Sequence, residues 1–550
     1  MGVPFLYKRQ RNAHKDTPKN KPNTHKTILS DLIYYLCIMF RVITTATLAL
    51  LLNIALAQDL ISEAQFDLPK FLYRAGIQRV LVDSLHKKIW ISFMPEKNSF
   101  SEDNPNGKKK FEMVLNQNIQ PETQQYSTHA DNRPIKIKYV WRDYWIGIAT
   151  RTNNQANPNQ KEVLLVLYDQ KGNLHKEQFF VLCPAKQLEK YHDLLLGDTL
   201  VCFYEREFSN TERSVEMLKI NLNSLQIIAQ KVLSLPNSKF GLMDVLNLNG
   251  RLYIWSAEID LQKFGTERVP RKNTLFELDS NGQILHACAI HPEAETNYLH
   301  FTTDTQKNIY VIGEYTKSKS QDEMIGIFVQ KFQHDGLTVW TKQYDYKGEL
   351  QKSIRTSSMG SMLYTQGGVY LHKLFYTQEG ELVAQAELFI KRQYSNTNFN
   401  NTSMFMGGVG GSFADPYTDY EYFDILLIKF DPNGNYLRTD RIPRTRQIKT
   451  YTGHLFSHKP IEKSYVFSHY TQQNIFVFFM NTQQNGKYHH LHACKYNPFT
   501  GQIKTISDLS ADGFEVIDYL PTQLIAHNQI VATGTNNKGN LLWVKSFILE

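Results

Sequence analysis

The amino-acid sequence predicts an all-β fold, a β-propeller of seven or eight four-stranded antiparallel blades. Three observations predict it. A strand–tight turn–strand pattern recurs along the chain. A further short strand recurs upstream of that hairpin at a near-constant interval. No stretch of useful length carries a helical period after Gln58. Composition agrees: at 42% hydrophobic and 21% charged the chain can bury a core, and its 12% aromatic content suits half-buried pleated surfaces. A chain of 550 residues is too long for one ordinary core. Repeat units escape that limit, because each packs only on its neighbours.

The N-terminus reads as a targeting segment. Leu32–Ala57 is largely apolar, but Arg41 interrupts it, and a central Arg is costly in a membrane span. Starting at Met39, Arg41 supplies a positive n-region, Val42–Ile54 an apolar h-region, and Ala55-Leu56-Ala57 a small-x-small cleavage site. Residues 39–57 are therefore expected to be a signal peptide. Residues 1–38, polar and basic, are expected to be a non-native or disordered extension; the alternative is a cytoplasmic tail before an uncleaved anchor. Residues 58–550 are expected to form the propeller, exported to the periplasm or outside the cell, with no stable membrane span after cleavage. The formal net charge is +8, but eight bases and only two acids fall within the first 57 residues. The remainder is nearly neutral, so no nucleic-acid partner is expected.

The clearest hairpins are Leu164–Leu174, Leu275–Leu285 and Leu427–Leu437, with turns Asp169–Gly172, Asp279–Gly282 and Asp431–Gly434. Asp at the first turn position can accept a bond from the backbone two residues on, and Gly at the fourth accepts positive φ. Looser copies occupy Phe328–Trp340, Ala493–Thr505 and Met217–Ile228. Upstream strands end in a small residue and Glu at Leu252–Glu258, Ile309–Glu314 and Leu382–Glu387. The positions Trp90, Trp145, Leu200, Tyr253, Tyr310, Val383, Phe476 and Val531 mark eight units about 55 residues apart, with longer gaps after Tyr310 and Val383. An insertion at about 396–422 accounts for the larger gap. That unit length suits four short strands, and radial four-stranded blades protect the sheet edges. Ala185–Leu196 reads as a short helical turn.

The strand–Asp-x-x-Gly–strand copies, the small residue–Glu strands and the signal peptide resemble secreted bacterial β-propeller repeat proteins of the Bacteroidetes type. The resemblance covers roughly Phe66–Glu550 and implies architecture, since that group is functionally uncharacterised. The Gly-His and Trp-Asp pairing of WD40 blades and the Gly-Gly doublet of kelch blades are missing. Asn497–Ile503 is similar to a quinoprotein-type blade repeat without its docking Trp. His334–Trp340 approaches a sialidase Asp-box with the wrong Asp–Gly spacing.

Four cysteines follow Gln58: Cys183, Cys202, Cys288 and Cys494. A Cys183–Cys202 disulfide fits an exported protein, but four small buried hydrophobes is the favoured reading. His490, His492 and Cys494 share one strand face and could begin a zinc site, although their spacing fits a polar strand face better. The insertion is Gly-rich and then acidic and aromatic. Its Asp415, Asp419, Glu421 and Asp424 are the leading ligand-binding candidates and could hold Ca²⁺, though they match no EF-hand loop; no other cofactor is expected. Glu258, Glu314 and Glu387 would line a central channel if each ended an inner strand. Alternatively each is structural and bonds the next blade.

Two functions fit these readings. The first is a non-catalytic binding or scaffold protein of the cell envelope, engaging a protein or glycan. The alternative is an exported hydrolase or lyase acting on polysaccharide, with carboxylates at the channel mouth.

Overall fold

The computed structural model describes residues 60–68, 76–94, 110–116, 118–127, 135–152, 160–184, 188–209, 212–236, 240–258, 272–316, 325–348, 350, 367–394, 417–444, 447–452, 466–471, 473–482, 489–508, 514–515, 523–526, 529–536 and 540–548. The chain divides into two units, Met1–Asp59 and Leu60–Glu550. The first unit, with the expected extension and signal peptide, lies outside the described residues.

The second unit is all-β, and no helix occurs among its described residues. It begins with β1 (Leu60–Asp67). Blade I holds β2 (Gly76–Asp83), β3 (Lys88–Met94), β4 (Lys110–Leu115) and β5 (Pro121–Ser127). Blade II holds β6 (Lys136–Trp141), β7 (Tyr144–Thr152), β8 (Gln160–Tyr168) and β9 (Leu174–Pro184). Blade III holds β10 (Leu188–Leu196), β11 (Thr199–Ser209), β12 (Glu212–Asn221) and β13 (Gln226–Leu233). Blade IV holds β14 (Phe240–Leu248), β15 (Arg251–Glu258), β16 (Asn273–Leu278) and β17 (Ile284–Ile290). Blade V holds β18 (Glu295–Thr303), β19 (Ile309–Thr316), β20 (Gly326–Phe332) and β21 (Thr338–Asp345). Blade VI holds β22 (Gly367–Tyr376), β23 (Leu382–Tyr394), β24 (Tyr417–Phe430) and β25 (Tyr436–Ile442), with β26 (Gln447–Thr452) added to the upper part of β24. Blade VII holds β27 (Val466–Tyr470), β28 (Ile475–Thr482), β29 (His489–Tyr496) and β30 (Ile503–Asp508).

Blade VIII is built from both chain ends. Its inner strand is split into β31 (Phe514–Glu515) and β32 (Gln523–Ala526), both paired with β33 (Gln529–Asn536). β34 (Leu541–Ile548) follows, and β1 supplies the outer strand by antiparallel pairing with β34. All eight sequence markers fall in second strands, so the count is eight blades. First strands of neighbouring blades lie against one another, β2 beside β6, β10 beside β14, β18 beside β22, β22 beside β27 and β32 beside β2, and so line the axis.

The core explains why the ring forms. Its buried apolar residues separate into eight clusters, and each cluster joins two neighbouring blades. Strand alternation does this. In β19, Ile309 and Val311 face blade IV, while Tyr310 and Ile312 face blade VI. A lone blade would leave both apolar faces wet. The last cluster packs Ile89, Ile91 and Met113 of blade I on Val531, Leu542 and Val544 of blade VIII, which closes the circle.

The recurrent turn has two tasks. Inside a blade, Asp431 Oδ1 accepts from the backbone N–H groups of Asn433 (2.9 Å) and Asn435 (2.8 Å), and Asp279 accepts likewise from Asn281 and Gln283. Between blades, the turn's carbonyls receive donors from the preceding blade. Arg251 donates to His334 O (2.8 Å), Tyr344 to Gly434 O (2.5 Å), and Lys429 to Pro498 O (2.7 Å). Repetition of the motif is therefore a consequence of ring assembly.

One expectation is corrected. Leu188–Leu196 is the inner strand β10, because pairing with β11 from Lys190 to Leu196 overrides the local helical pattern; residues 185–187 lie outside the description. The cysteines follow the favoured reading: Cys183, Cys202, Cys288 and Cys494 are free and buried, without a Cys183–Cys202 disulfide, and burial pushes the thiols of Cys183 and Cys202 up to about 11 and about 12.

Candidate functional site

The two faces of the ring differ. On one face, the connections between first and second strands and between third and fourth strands are all short. On the other, second strands run to third strands and each blade passes to the next. The strand ends on that side are joined by the longest stretches of sequence, residues 95–109, 259–272, 346–366, 395–416 and 453–465. Blade VI extends furthest towards this face, where β23 and β24 continue past the blade and gain β26.

At the base of that extension is a buried polar cluster. It begins with a β-bulge on the inner strand. Leu371 pairs with Ala386 and Lys373 with Gln385, leaving His372 as the extra residue. The bulge swings His372 onto Glu387, with Nε2 and Oε2 2.5 Å apart. Arg444, two residues past β25, completes the group by an ion pair from Nη1 to Glu387 Oε1. The side chains of His372, Glu387 and Arg444 are 7%, 3% and 1% exposed. Burial alone would raise the Glu387 carboxyl, but Arg444 and then His372 overcome it and hold it at about 2. The Arg444 backbone N–H donates to Asp424 Oδ1 (3.3 Å), and Arg441 pairs with Asp424 at 3.6 Å. Thus two sequence candidates, Glu387 and Asp424, are brought together through a residue that was not among them.

Aromatic groups flank the cluster towards the axis. Tyr370 meets His372 edge-on at 4.8 Å and Tyr298 of blade V at 5.2 Å. His300 Nε2 lies 2.8 Å from Leu371 O, the carbonyl just before the bulge. Burial depresses the His300 imidazole to about 4, so it stands neutral and donates. Blade III repeats the device: Lys190 Nζ donates to Leu242 O (2.8 Å), again just before an inner-strand bulge.

The remaining candidates lie elsewhere. Glu258 ends second strand β15, and Glu314 and Glu387 lie within second strands β19 and β23, so none of them is an inner-strand terminus lining a channel. Glu314 and Glu387 are buried on the face turned towards the next blade; Glu314 accepts from Tyr346, in the segment entering blade VI. Glu205 holds the same position and shows the role most clearly. Its Oε2 accepts from the Leu242 backbone N–H of blade IV at 2.6 Å, and its Oε1 pairs with Arg213 at 2.5 Å. Glu258 is one residue out of register, because Ala257 takes the equivalent place opposite Asn273. It is half-buried and turned to the other face.

Asp415 lies outside the described residues. Asp419 and Glu421 are in β24, where their side chains are not described. His490 is in β29, its side chain likewise outside the description. His492 stacks on Phe479 at 5.8 Å, and Cys494 is buried in the core shared by blades VI and VII. Among the described residues, no group of three or more His, Cys, Asp or Glu side chains is arranged to hold a metal ion. No helix among them is long and apolar enough to cross a membrane.

The bulged His372 had a signal in the sequence. In Val369–Leu374 the apolar residues fall at 369, 371 and 374, a one-residue slip of the strand period. Arg444 had none, since only the fold carries it to Glu387.

Comparison with known proteins extends this picture. No curated protein matches the sequence. Among solved structures, the chain is similar to the WD40 domain of SCAP from fission yeast, with 8% identity over 88% of this chain and 98% of that one, at a TM-score of 0.36. It is similar to a polysaccharide lyase of the PL25 ulvan lyase family, with 9% identity over 88% and 96% of the two chains, at a TM-score of 0.36. A third likeness is to the α-L-arabinanase of Penicillium chrysogenum, with 9% identity over 66% and 94%, at a TM-score of 0.32. Residues 292–502, which hold blades V and VI and most of blade VII, match a family of unknown function (DUF6770).

Proposed function

We propose that this chain is an exported, non-catalytic binding or scaffold protein of the bacterial cell envelope. Its ligand, a protein or a glycan, is engaged by the face that carries the long connections. The observation behind this reading is the asymmetry of the ring. One face is short turns tied to neighbouring blades, and on the other the longest stretches of sequence join the strand ends, beside the β23–β24–β26 extension of blade VI. Loops held on a rigid scaffold are where binding residues concentrate. Glu205 and Glu314 are taken up at blade boundaries and Glu387 in an ion-paired cluster within blade VI, so they serve the scaffold. The reading needs no cofactor. Ca²⁺ at Asp415, Asp419, Glu421 and Asp424 remains a subsidiary proposal, tested by whether EDTA lowers ligand binding.

The test is binding of the purified chain to a glycan array and to envelope protein fractions, beside a variant with 396–416 replaced by a short Gly-Ser turn. The reading expects a retained ligand for the intact chain, reduced at least tenfold in the variant, with an unchanged melting temperature. Turnover of a polysaccharide by the intact chain would instead establish the hydrolase or lyase alternative.

A further inference from the structure

The boundary of blades II and III opens into a groove at the rim of the ring. It runs between the two fourth strands, β9 and β13, with a volume of about 760 Å³, within the range of small-ligand sites. The pairing register tells which side chains line it. Gln178 and Phe180 stand opposite Leu165 and Val163, and Ile227 and Gln230 opposite Ile220 and Leu218. Those four partners belong to the core shared by blades II and III, so the side chains opposite them face into the same space. Phe180 and Leu182 are buried and form the floor with half-buried Leu225, while Ile227, 45% exposed, stands at the mouth.

The polar groups of the groove point to a kind of ligand. The Tyr204 hydroxyl lies 2.7 Å from Glu216 Oε2, and Arg206 pairs with the other oxygen of that carboxylate at 2.6 Å. A carboxylate only accepts, so the hydroxyl donates to it and takes a bond from Gln230 Nε2 at 3.0 Å. Gln230 therefore turns its nitrogen inwards and keeps Oε1 for the groove. Gln178 Nε2 likewise donates to Phe179 O at 3.3 Å, which leaves its oxygen as the acceptor. No charged side chain lines the groove. Two acceptors without a cation suit a ligand that donates and carries no negative charge. Sugar hydroxyls do so, and the apolar floor matches the C–H face of a sugar ring. The turn that leads into β13 adds a second observation. In blades II, IV, V, VI and VII the left-handed residue of this turn is glycine, but in blade III it is Leu225, with φ of +52°. That conformation is unfavourable for a residue with a side chain, and here it sets an isobutyl group in the groove. In blade I Ile119 takes the same conformation but is fully buried.

We propose that the groove between β9 and β13 is a binding site for an uncharged glycan. This rests on the binding-protein reading and names a neutral glycan as a ligand, held at the rim and not on the face with the long connections. In the bound state hydroxyls of the glycan donate to Gln178 Oε1 and Gln230 Oε1, and an apolar sugar face lies against Leu225 and Ile227.

The test uses the whole chain and equilibrium dialysis against four neutral tetrasaccharides, cellotetraose, laminaritetraose, mannotetraose and maltotetraose, with tetragalacturonate as the charged control. At least one neutral probe is expected to bind, and tetragalacturonate roughly tenfold more weakly or worse. Ile227→Arg fills the mouth from an exposed position. It is expected to weaken the neutral probe by roughly tenfold or more with an unchanged melting temperature. Gln178→Ala removes one acceptor from an exposed side chain and is expected to weaken it severalfold. The proposal is overturned if no neutral probe binds, if tetragalacturonate matches the neutral probes, or if either variant binds normally. Retention of an envelope protein that Ile227→Arg abolishes, with no neutral probe bound, would also overturn it. A glycan lost on replacing 396–416 but kept by Ile227→Arg would overturn this inference and leave the binding-protein reading standing.

Discussion

Gly434 carries φ of +79°, and a Cβ added there would lie 2.5 Å from the Trp340 ring of blade V. The residue is thus fixed twice, by the turn and by the neighbouring blade. Gly434→Ala is expected to cost about 2 kcal/mol, read as a lower urea midpoint with an unchanged slope. His300 gives a second prediction at this scale. Its folded pKa is depressed to about 4 from an ordinary 6.5. Between those values the unfolded chain binds the proton more readily, so stability rises with pH there. The contribution is complete above pH 6.5 and is lost as pH falls towards 4. His300→Gln keeps a donor for Leu371 O without titrating, so unfolding measured across this window should depend less steeply on pH than in the parent. Glu387 acts at lower pH: its carboxyl is held at about 2, so its stabilisation is present above 4.5 and is lost below that value. Single residues were also the least legible part of the sequence. Glu314 and Glu387 could be picked out by recurrence, but Glu258 looked equivalent and is one register position away, while Glu205 passed unnoticed. A period of two makes one residue decide which blade a side chain faces, and only the observed pairing fixes that phase.

At the scale of elements, the hairpins, their turns and the eight second strands were readable, because local chemistry specifies them. Asp, Pro and Gly at fixed turn positions act within a few residues. Inner strands were not readable: β10 resembled a helical turn, β22 is phase-shifted by a bulge, and the inner strand of blade VIII is split in two. Their pairing is long-range, and so short a run of residues carries little signal alone. The elements are tied together by polar groups that cross blade boundaries. Lys429, almost fully buried, pairs with Glu381 at 2.7 Å and donates to Pro498 O in blade VII at 2.7 Å. Lys429→Met keeps the stem packed, leaves Glu381 without this partner, and leaves Pro498 O to Arg438 Nη2 alone, at 3.0 Å. The expected loss is about 2–3 kcal/mol. Hydrogen exchange should show it as faster exchange at the Asn497–Gly501 turn, with the amides of blade II unaffected.

For the whole molecule, stability is shared among eight boundaries, each a hydrophobic cluster that neither blade owns. Such a ring is as strong as its seam. Here the seam is the pairing of β1 with β34 and the packing of blade VIII on blade I. The sequence disclosed eight units but not which strand closes the circle. β1 precedes blade I along the chain and pairs with the far end of it, Leu60 opposite Phe547. The pair Glu63 and Lys545 stands directly opposite on these strands, its charged groups 3.3 Å apart and partly exposed. Cysteines at directly opposed antiparallel positions lie within disulfide reach; with Cys37 replaced by Ser, burial of the other four native thiols leaves the new pair to react. The most direct measurement is oxidation of the Glu63→Cys, Lys545→Cys double variant, read by peptide mass mapping and melting temperature. A closed eight-bladed ring predicts near-complete cross-linking of the two introduced cysteines to each other, without loss of fold and with a higher melting temperature. Two free introduced thiols under the same oxidation, in a chain that remains folded, would contradict it.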